Sequence, residues 1–301
     1  MIDLHLHTTA SDGHLSPVQL VARVAAAGIT TMSVTDHDTV AALAEVGIAA
    51  AARGIRLVPG IEVTSVADGR DVHLLGYFFD PASVPLLTFL EGQRAQRVSR
   101  VREIGDRLQR LGMPVDVEAL VSMAALRPGT SIGRPQIARA LVSAGHVSSV
   151  QEAFERWLAT GLPAFVPRTG PSPAAVVDVI HAAGGVASFA HPGVTKRDDL
   201  IRPLADQGLD AIEIYHSDHL GEDVQQYRGL AQRLGVLVSG GSDFHGDPST
   251  RPGDLLSASP QGSLRAGASS RSQRNTLGTI MLPPDDFAAL ERRAGEHRRP
   301  A

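Results

Sequence analysis

Hydrophobic and polar residues alternate from the first residues of the chain. Ile2, Leu4 and Leu6 are separated by polar residues, and this period-two pattern predicts a strand with His5 and His7 on the same face. Apolar residues then recur at helical spacing behind a serine and a proline that suit a helix start. The chain is therefore predicted to open with a strand followed by a helix.

The same succession of elements continues in two separate parts of the chain. The first part contains predicted strands and helices over 17–27, 31–35, 39–53, 55–64 and 72–79. The second part repeats the pattern over 173–183, 186–190, 198–207, 211–215, 222–234 and 236–240. Alternation on this scale predicts right-handed βαβ units and a parallel sheet, either open or closed into a barrel. A last strand over 277–282 and a helix from Asp285 are also predicted.

The two α/β parts are separated by a segment in which strand signals disappear. Residues 84–168 carry helical stripes such as Val98, Val101 and Ile104, so we expect an inserted helical cap. Residues 1–83 and 169–285 would then form one discontinuous α/β domain. Six serines and three arginines in 257–275 predict a flexible loop.

Composition excludes several classes of protein and site. The 301 residues include no cysteine, so disulfides, thiolate zinc sites and cysteine nucleophiles are excluded. The start of the chain lacks the features of a signal peptide, and the apolar runs are too short to span a bilayer, which predicts a cytoplasmic protein without a membrane segment. A net charge of -4 argues against duplex DNA as a partner and favours a small or short substrate.

Nine polar residues fall within or just after the predicted strands, at His5, His7, Asp12, His37, Glu62, His73, His191, Asp243 and His245. The carboxyl ends of parallel strands converge on one face, so these groups are expected to meet there. Imidazole and carboxylate are the ligands that Zn²⁺, Mn²⁺ and Fe²⁺ can find in a chain without cysteine. A single His-x-His or a single capping aspartate often binds no metal, and it is the joint placement of the nine that predicts a site for more than one ion.

The motifs that hold these residues resemble one known family. The segments DLHLHTTASDG, SVTDHDT, PGIEVT, VHLLGY, FAHPG and GGSDFHG are similar to those of the PHP (polymerase and histidinol phosphatase) family, and they occur in the same order. The segment SIGRPQIARALV at 131–142 resembles the nucleotide phosphatase branch. The resemblance implies a distorted (β/α)₇ barrel with an inserted helical cap. It also implies two or three divalent metal ions, with Mn²⁺ expected and Fe²⁺ or Zn²⁺ as alternatives.

The resemblance also assigns ligands to each ion. It implies one metal held by His5, His7, Glu62 and Asp243. A second would be held by Glu62, His73 and His191, and a third by Asp12, His37 and His245. Asp36 and Asp38 are interpreted as groups that support the ligands. The expected reaction is attack of hydroxide on a phosphate, with His191, His245 and Asp12 as catalytic residues and one of the two histidines protonating the leaving alkoxide.

Arginines in the cap are candidates for binding the substrate. Arg94 and Arg97 are neighbours on a predicted helix, and the guanidinium of Arg134 suits bidentate phosphate contacts. The resemblance implies hydrolysis of the 3′-phosphate of nucleoside 3′,5′-bisphosphates to give nucleoside 5′-monophosphates. The alternatives are a 5′-3′ exoribonuclease acting on short RNA and a histidinol phosphate phosphatase. A non-catalytic, metal-binding regulatory module is the alternative from another class.

Overall fold

A seven-stranded sheet, with its strands in sequence order, organises the chain in the computed structural model, which describes residues 1–246 and 276–298. The strands are β1 (Ile2–Leu6), β2 (Thr31–Val34), β3 (Arg56–Ala67), β4 (Arg70–Tyr77), β5 (Val186–Phe189), β6 (Ala211–Tyr215) and β7 (Leu237–Gly240). After β7 the chain returns to the first strand, where the backbone N–H of His7 donates to the carbonyl of Phe244 at 3.0 Å. The sheet is thus curled so that its two edges meet, and the predicted fold class is confirmed.

One strand does not follow the predicted parallel arrangement. β4 pairs antiparallel with both β3 and β5, whereas β1, β2 and β3 pair in parallel, as do β5, β6 and β7. The expectation of an entirely parallel sheet was therefore wrong at β4. The short turn at Asp68 and Gly69, both with positive φ, reverses the chain between β3 and β4 and leaves no room for a crossover helix.

Helices connect most of the strands and form the segment between β4 and β5. They are α1 (Pro17–Ala26), α2 (Leu43–Ala51), α3 (Val84–Arg110), α4 (Val117–Ala125), α5 (Arg134–Ser143), α6 (Val150–Ala153), α7 (Pro173–Ala182), α8 (Pro192–Thr195), α9 (Ile201–Asp206), α10 (Gly221–Leu234) and α11 (Pro284–His297), with a π-helix over Phe154–Leu158 and a 3₁₀ turn over Asp198–Leu200. α1 begins as its sequence predicts, because Ser16 and Gln19 form a reciprocal capping box. None of the helices in these described ranges is both long enough and apolar enough to cross a bilayer.

Residues 98–166, which lie between β4 and β5, pack around a core of their own. This core includes Ile104, Leu108, Ile137 and Leu141, all fully buried, and it is distinct from the core beneath the sheet. The first turns of α3 belong to the other core, since Leu86 packs with the strands. The long helix α3 therefore joins the two layers rigidly and fixes the position of its arginines relative to the strand ends.

The chain after β7 is described from residue 276 onward. The strand predicted over 277–282 is absent, so that prediction was wrong: residues 277–280 form a turn and bends, and the backbone N–H of Leu282 donates to the carbonyl of Ile2 at 3.1 Å. The predicted helix from Asp285 is confirmed as α11. The loop predicted over 257–275 lies outside the described residues.

Close packing at Gly241 sets the distance between β7 and β1. A Cβ atom at this position would lie 2.2 Å from the backbone nitrogen of His5 and 2.4 Å from the Cβ of the same residue. No side chain can be accommodated without moving β1. Only glycine therefore allows the strand bearing His5 and His7 to approach the end of β7.

We expect Gly241→Ala to destabilise the protein by about 3 kcal/mol, because the added methyl group would overlap backbone atoms of His5 that cannot move without displacing β1. The matched control is Gly92→Ala, at an exposed position in α3 with nothing within 4 Å of the added carbon. The control should stabilise the protein by roughly 0.5–1 kcal/mol through helix propensity. Urea unfolding of both variants measures the difference, and equal stabilities would contradict the packing assigned to Gly241.

Candidate metal centre

The ends of six strands bring all nine predicted ligands into one pocket. His5 and His7 project from β1, His37 follows β2, Glu62 lies in β3, and the others follow β1, β5 and β7 or lie in β4. The antiparallel direction of β4 matters here. It places His73, near the start of β4, opposite Thr64, just beyond Glu62 in β3, so the imidazole lies at the same end of the sheet as the others.

Glu62 is the centre of this pocket. Its side chain is 1% exposed, and its two oxygens lie within 3.3 Å of ring nitrogens from five histidines, His5, His7, His37, His73 and His191. Burial alone would raise the pKa of Glu62, but His37, His73 and His5 hold it well below its usual range. Glu62 is therefore an ionised carboxylate placed between several nitrogen donors, an arrangement that a carboxylate shared by two cations would need.

Two aspartates extend the cluster on either side of His7. Asp243 Oδ1 lies 3.2 Å from His7 Nε2 and 3.3 Å from His5 Nε2. Asp12 Oδ1 lies 3.2 Å from His245 Nε2, and Asp12 Oδ2 lies 3.7 Å from His37 Nε2. Burial opposes ionisation of both acids, but the surrounding histidines keep the pKa of each well below its usual range.

The ligand atoms fall into three overlapping groups, in each of which all atoms lie within 4.8 Å of one another. The first group has the four residues expected for the first metal, and the others are His37 with Glu62 and His73, and His7 with Asp12, His37 and His245. His37 thus belongs to two of the observed groups, one that overlaps the second expected set and one that contains the third expected set. His191, expected in the second, lies 3.0 Å from Glu62 through its Nε2.

The hydrogen-bonding state of the imidazoles fits metal binding. Both ring nitrogens of His7, and the Nδ1 atoms of His37 and His73, are buried and form no hydrogen bond of good geometry, although each has a carboxylate oxygen within 3.7 Å. Unpaired buried nitrogens are unfavourable unless they coordinate a cation. Burial lowers the pKa of His37 to about 3, so its ring is neutral and available as a ligand. Nitrogen and oxygen donors in these numbers suit Mn²⁺, Fe²⁺ or Zn²⁺.

A buried acid in β6, Glu213, supports the ligands; the sequence places it near a strand end, where it could contribute such bonds, but the set of predicted site residues did not include it. Glu213 Oε1 lies 2.8 Å from His5 Nδ1, and the backbone N–H of His191 donates to Glu213 Oε2 at 2.8 Å. The first contact orients the His5 ring so that Nε2 faces Glu62. The second holds His191 at φ +28, an unfavourable backbone conformation. The signal in the sequence was a charged residue in the middle of an otherwise apolar strand.

Asp36 and Asp38 support the pocket without facing it, in agreement with their interpretation from the sequence. Asp36 accepts hydrogen bonds from the hydroxyls of Thr8 and Ser11, both at 2.6 Å, and so fixes the loop that carries Asp12. Asp38 accepts from the backbone of the strand bearing Glu62 and from a cap arginine. These two acids therefore connect the loops after β1 and β2 to the rest of the site.

A cavity of about 170 Å³ adjoins the cluster, between the strand ends and the helical cap. It shares Asp12, His37 and His73 with the pocket, and its other charged residues are Asp71, Arg97, Arg100, Arg134 and Arg168. The predicted substrate residues Arg97 and Arg134 are thus in its lining. Arg94 lies outside that lining, with Nη1 3.4 Å from the carbonyl of Asp38.

The arginines of this cavity are only partly neutralised. Arg134 and Arg100 approach Asp71, at 3.1 and 3.7 Å, and Arg97 contacts Asp38 at 2.5 Å. The Nη2 of Arg100 and the Nη1 of Arg168 are buried without a hydrogen-bond partner. Four guanidinium groups face the three carboxylates of Asp12, Asp38 and Asp71, and burial together with Arg97 lowers the pKa of Arg168 to about 10. The cavity is therefore suited to an anion.

Comparison with known proteins agrees with this geometry. A sequence model of the PHP domain matches residues 3–160. A 5′-3′ exoribonuclease of Haemophilus influenzae is 38% identical over 81% of this chain and 89% of its own length. A 3′,5′-nucleoside bisphosphate phosphatase of Chromobacterium violaceum is 36% identical over 81% of this chain and 87% of its own.

Solved structures share the fold over nearly the whole chain. A protein of Bifidobacterium adolescentis described as a metal-dependent phosphoesterase superposes with a TM-score of 0.81 at 28% identity, covering 97% of this chain and 96% of that one. An amidohydrolase of Chromobacterium violaceum, solved with bound sulfate and no metal, gives a TM-score of 0.79 at 31% identity with the same coverage. The fold of nearly the whole chain is therefore shared with a protein described as a metal-dependent phosphoesterase and with an amidohydrolase.

The role assigned to Glu213 is tested by Glu213→Gln, which keeps the shape of the side chain and removes its charge. The affinity for Mn²⁺ should fall by about 10- to 100-fold, because the amide supports the His5 ring and the His191 backbone less well. Glu222→Gln, on the exposed face of α10, is the matched control and should leave the affinity unchanged. Isothermal titration measures both, and equal affinities would contradict the supporting role.

Proposed function

The chain belongs to the PHP domain family, and from this premise we propose that it hydrolyses the 3′-phosphate of nucleoside 3′,5′-bisphosphates to give nucleoside 5′-monophosphates. The family membership confirms the resemblance predicted from the sequence motifs. The relative from Chromobacterium violaceum is named as a 3′,5′-nucleoside bisphosphate phosphatase. Its 36% identity over most of both chains supports the assignment.

The observation that carries the proposal is that two places able to take a phosphate lie side by side. One is the cluster around Glu62, where bound cations would attract a phosphate, and the other is the cavity with the unpaired guanidinium nitrogens of Arg100 and Arg168. Asp12, His37 and His73 border both. A nucleoside 3′,5′-bisphosphate carries two phosphates on one small molecule, so one can be cleaved while the other is held. Histidinol phosphate has a single phosphate and would leave the arginines unpaired.

The residues around Glu62 are proposed to hold two or three divalent ions, as the motifs imply. His5, His7, Glu62 and Asp243 would hold one, Glu62 with His73 and His191 a second, and Asp12 with His37 and His245 a third. Bound divalent cations, Mn²⁺ in our proposal with Fe²⁺ or Zn²⁺ as alternatives, supply Lewis acidity that activates water at neutral pH and neutralises phosphate oxygens. The unpaired ring nitrogens support this assignment.

His245 is proposed as the group that protonates the leaving alkoxide when only the first two ions are bound. Its side chain is 27% exposed, against 11% for His191, the other candidate. Burial and His7 oppose protonation, but Asp12 and Asp243 raise the pKa of His245 above its ordinary value. Asp12 therefore favours the protonated ring and orients it, with its Oδ1 3.2 Å from Nε2.

A second candidate function, 5′-3′ exonucleolytic cleavage of short RNA, uses the same two sites. The relative from Haemophilus influenzae is named for this activity. The arginine cavity would take the terminal 5′-phosphate, and the next phosphodiester would lie at the Glu62 cluster. In either case the substrate is a small phosphorylated nucleotide or short RNA and not duplex DNA, and we place the enzyme in the cytoplasm.

Phosphate or nucleotide release from a panel of substrates tests the function directly. We expect the Mn²⁺-loaded protein to cleave adenosine 3′,5′-bisphosphate faster than a 5′-phosphorylated oligoribonucleotide, and both faster than histidinol phosphate. Faster turnover of the oligonucleotide would favour the exoribonuclease. If none of the three substrates is cleaved, the result would favour the non-catalytic regulatory module.

Asp243→Ala should lower kcat by at least about a thousandfold, because losing a cation near the reacting phosphate removes several kcal/mol of charge stabilisation. The strands should still fold, which circular dichroism can verify. Asp178→Ala, at an exposed position in α7, is the matched control and should turn over normally. Near-normal turnover by Asp243→Ala would contradict the assignment of its carboxylate.

The cavity assignment predicts the effect of Arg168→Gln. The KM for adenosine 3′,5′-bisphosphate should rise roughly 10- to 100-fold, since a charged hydrogen bond contributes about 1.5–3 kcal/mol, while kcat changes little. With adenosine 3′-monophosphate, which lacks the second phosphate, the variant and the original protein should have similar KM values. Arg156→Gln, on the exposed face of the cap, is the control. An equal loss on both substrates would show that Arg168 only supports the fold.

A further inference from the structure

A second group of imidazoles and a carboxylate lies outside the metal centre and has no part in the proposed reaction. It consists of His181 in the last turn of α7, Asp210 directly before β6, and His297 at the end of α11. One ligand atom from each lies within 4.8 Å of the others. We propose that this group, the His181–Asp210–His297 site, binds one transition-metal ion of the Zn²⁺ class.

The geometry brings both rings onto a single carboxylate. His181 Nε2 lies 2.7 Å from Asp210 Oδ2, and His297 Nε2 lies 2.9 Å from Asp210 Oδ1. The ring centroids are 4.3 Å apart. Two imidazole nitrogens and one carboxylate are a ligand set that Zn²⁺ uses in proteins, with the fourth position left for water.

The carboxylate of this site is buried, whereas its two rings are partly exposed to solvent. The Asp210 side chain is 1% exposed, and the backbone N–H of Ala187 donates to Oδ2 at 2.9 Å, so the acid is fixed in place. The side chains of His181 and His297 are 24% and 20% exposed. An ion can therefore approach from the side of the rings and meet a carboxylate that is already oriented.

The position in the fold separates this site from the Glu62 cluster. Asp210 precedes β6, whereas the residues around Glu62 lie within β1 and β4 or follow β1, β2, β5 and β7 at the other end of the sheet. Glu213, three residues further along the same strand, already points to the metal centre through His5. The two groups thus lie at opposite ends of the strands, and an ion at one cannot share ligands with the other.

Arg293 is the one cation in direct contact with the group among the described residues. Its Nη1 lies 3.1 Å from Asp210 Oδ1, the oxygen that also faces His297. Arg293 has a second partner, since its Nε lies 3.0 Å from Glu296 Oε2, and its side chain is 37% exposed. It can therefore release Asp210 and remain paired, so it competes with an ion without blocking it.

A bound ion would connect parts of the chain that are remote in sequence. His297 belongs to the last helix, whereas His181 and Asp210 belong to the second α/β part, beside β5 and β6. A metal held by all three would hold α11 to the sheet. This role is structural and does not depend on the proposed function at the other end of the strands.

The test counts bound Zn²⁺ by equilibrium dialysis followed by elemental analysis. His297→Gln and His181→Gln each replace a ligand by a side chain that still donates a hydrogen bond to Asp210 but binds Zn²⁺ poorly. Each variant should bind one Zn²⁺ fewer per chain than the original protein. Mn²⁺-dependent phosphate release should be unchanged in both, because neither histidine belongs to the metal centre.

Arg293→Gln is expected to strengthen Zn²⁺ binding, whereas the two histidine variants weaken it. Removing a positive charge next to the carboxylate should raise the Zn²⁺ affinity of this site roughly tenfold. The affinity is measured by titrating Zn²⁺ in competition with a chromophoric chelator. The binding phase that is missing in His297→Gln identifies this site. Equal Zn²⁺ counts in the original protein and both histidine variants would overturn the proposal and leave the group as a hydrogen-bonded anchor for α11. An unchanged or weaker affinity in Arg293→Gln would also count against it.

Discussion

The structure depends on one electrostatic constraint, the burial of the Glu62 carboxylate among five imidazoles. A carboxylate with so little access to water is stable only beside positive charge, and nitrogens without hydrogen bonds are stable only beside a cation. Divalent ions satisfy both requirements together. The curl of the sheet, the reversed direction of β4 and the glycine beside β1 can all be understood as ways of bringing these groups to one point.

The surroundings of the cluster convert that constraint into a selective site. The helical segment between β4 and β5 places arginines next to the strand ends, and Asp38 connects Arg97 to the backbone of β3. The position of the arginine cavity relative to Glu62 is therefore fixed by hydrogen bonds and by the rigid helix α3. A substrate with two phosphates matches this separation of a metal cluster and an arginine pocket, whereas a substrate with one phosphate uses only half of it.

Much of this arrangement could be predicted from the sequence because it depends on local patterns. The capping box at Ser16 and the apolar stripe of α1 give its start and its buried face, and the alternation around His5 places two imidazoles on one side of β1. The convergence of the ligands follows from their positions at strand ends. Family motifs then assign a reaction, which composition alone does not.

Features that depend on packing between distant segments could not be predicted in the same way. The alternation in β4 is the same whichever direction the strand runs, so its antiparallel pairing was not predicted. Leu282 follows apolar neighbours whose pattern predicts a strand, yet the residues around it form no strand, and its backbone N–H donates to Ile2, the first residue of β1. Arg100 and Arg168 resemble ordinary surface arginines in the sequence, and only the packing of the cap over the sheet buries them beside the site.

The central claim is that the nine groups around Glu62 jointly bind several ions. The most direct measurement is a crystal structure of the Mn²⁺-loaded protein with anomalous diffraction data that locate manganese. We predict at least two adjacent anomalous peaks, both next to the Glu62 carboxylate and surrounded by the ring nitrogens that lack hydrogen bonds. A fully formed pocket with no anomalous peak, or with a single ion that does not touch Glu62, would contradict the account.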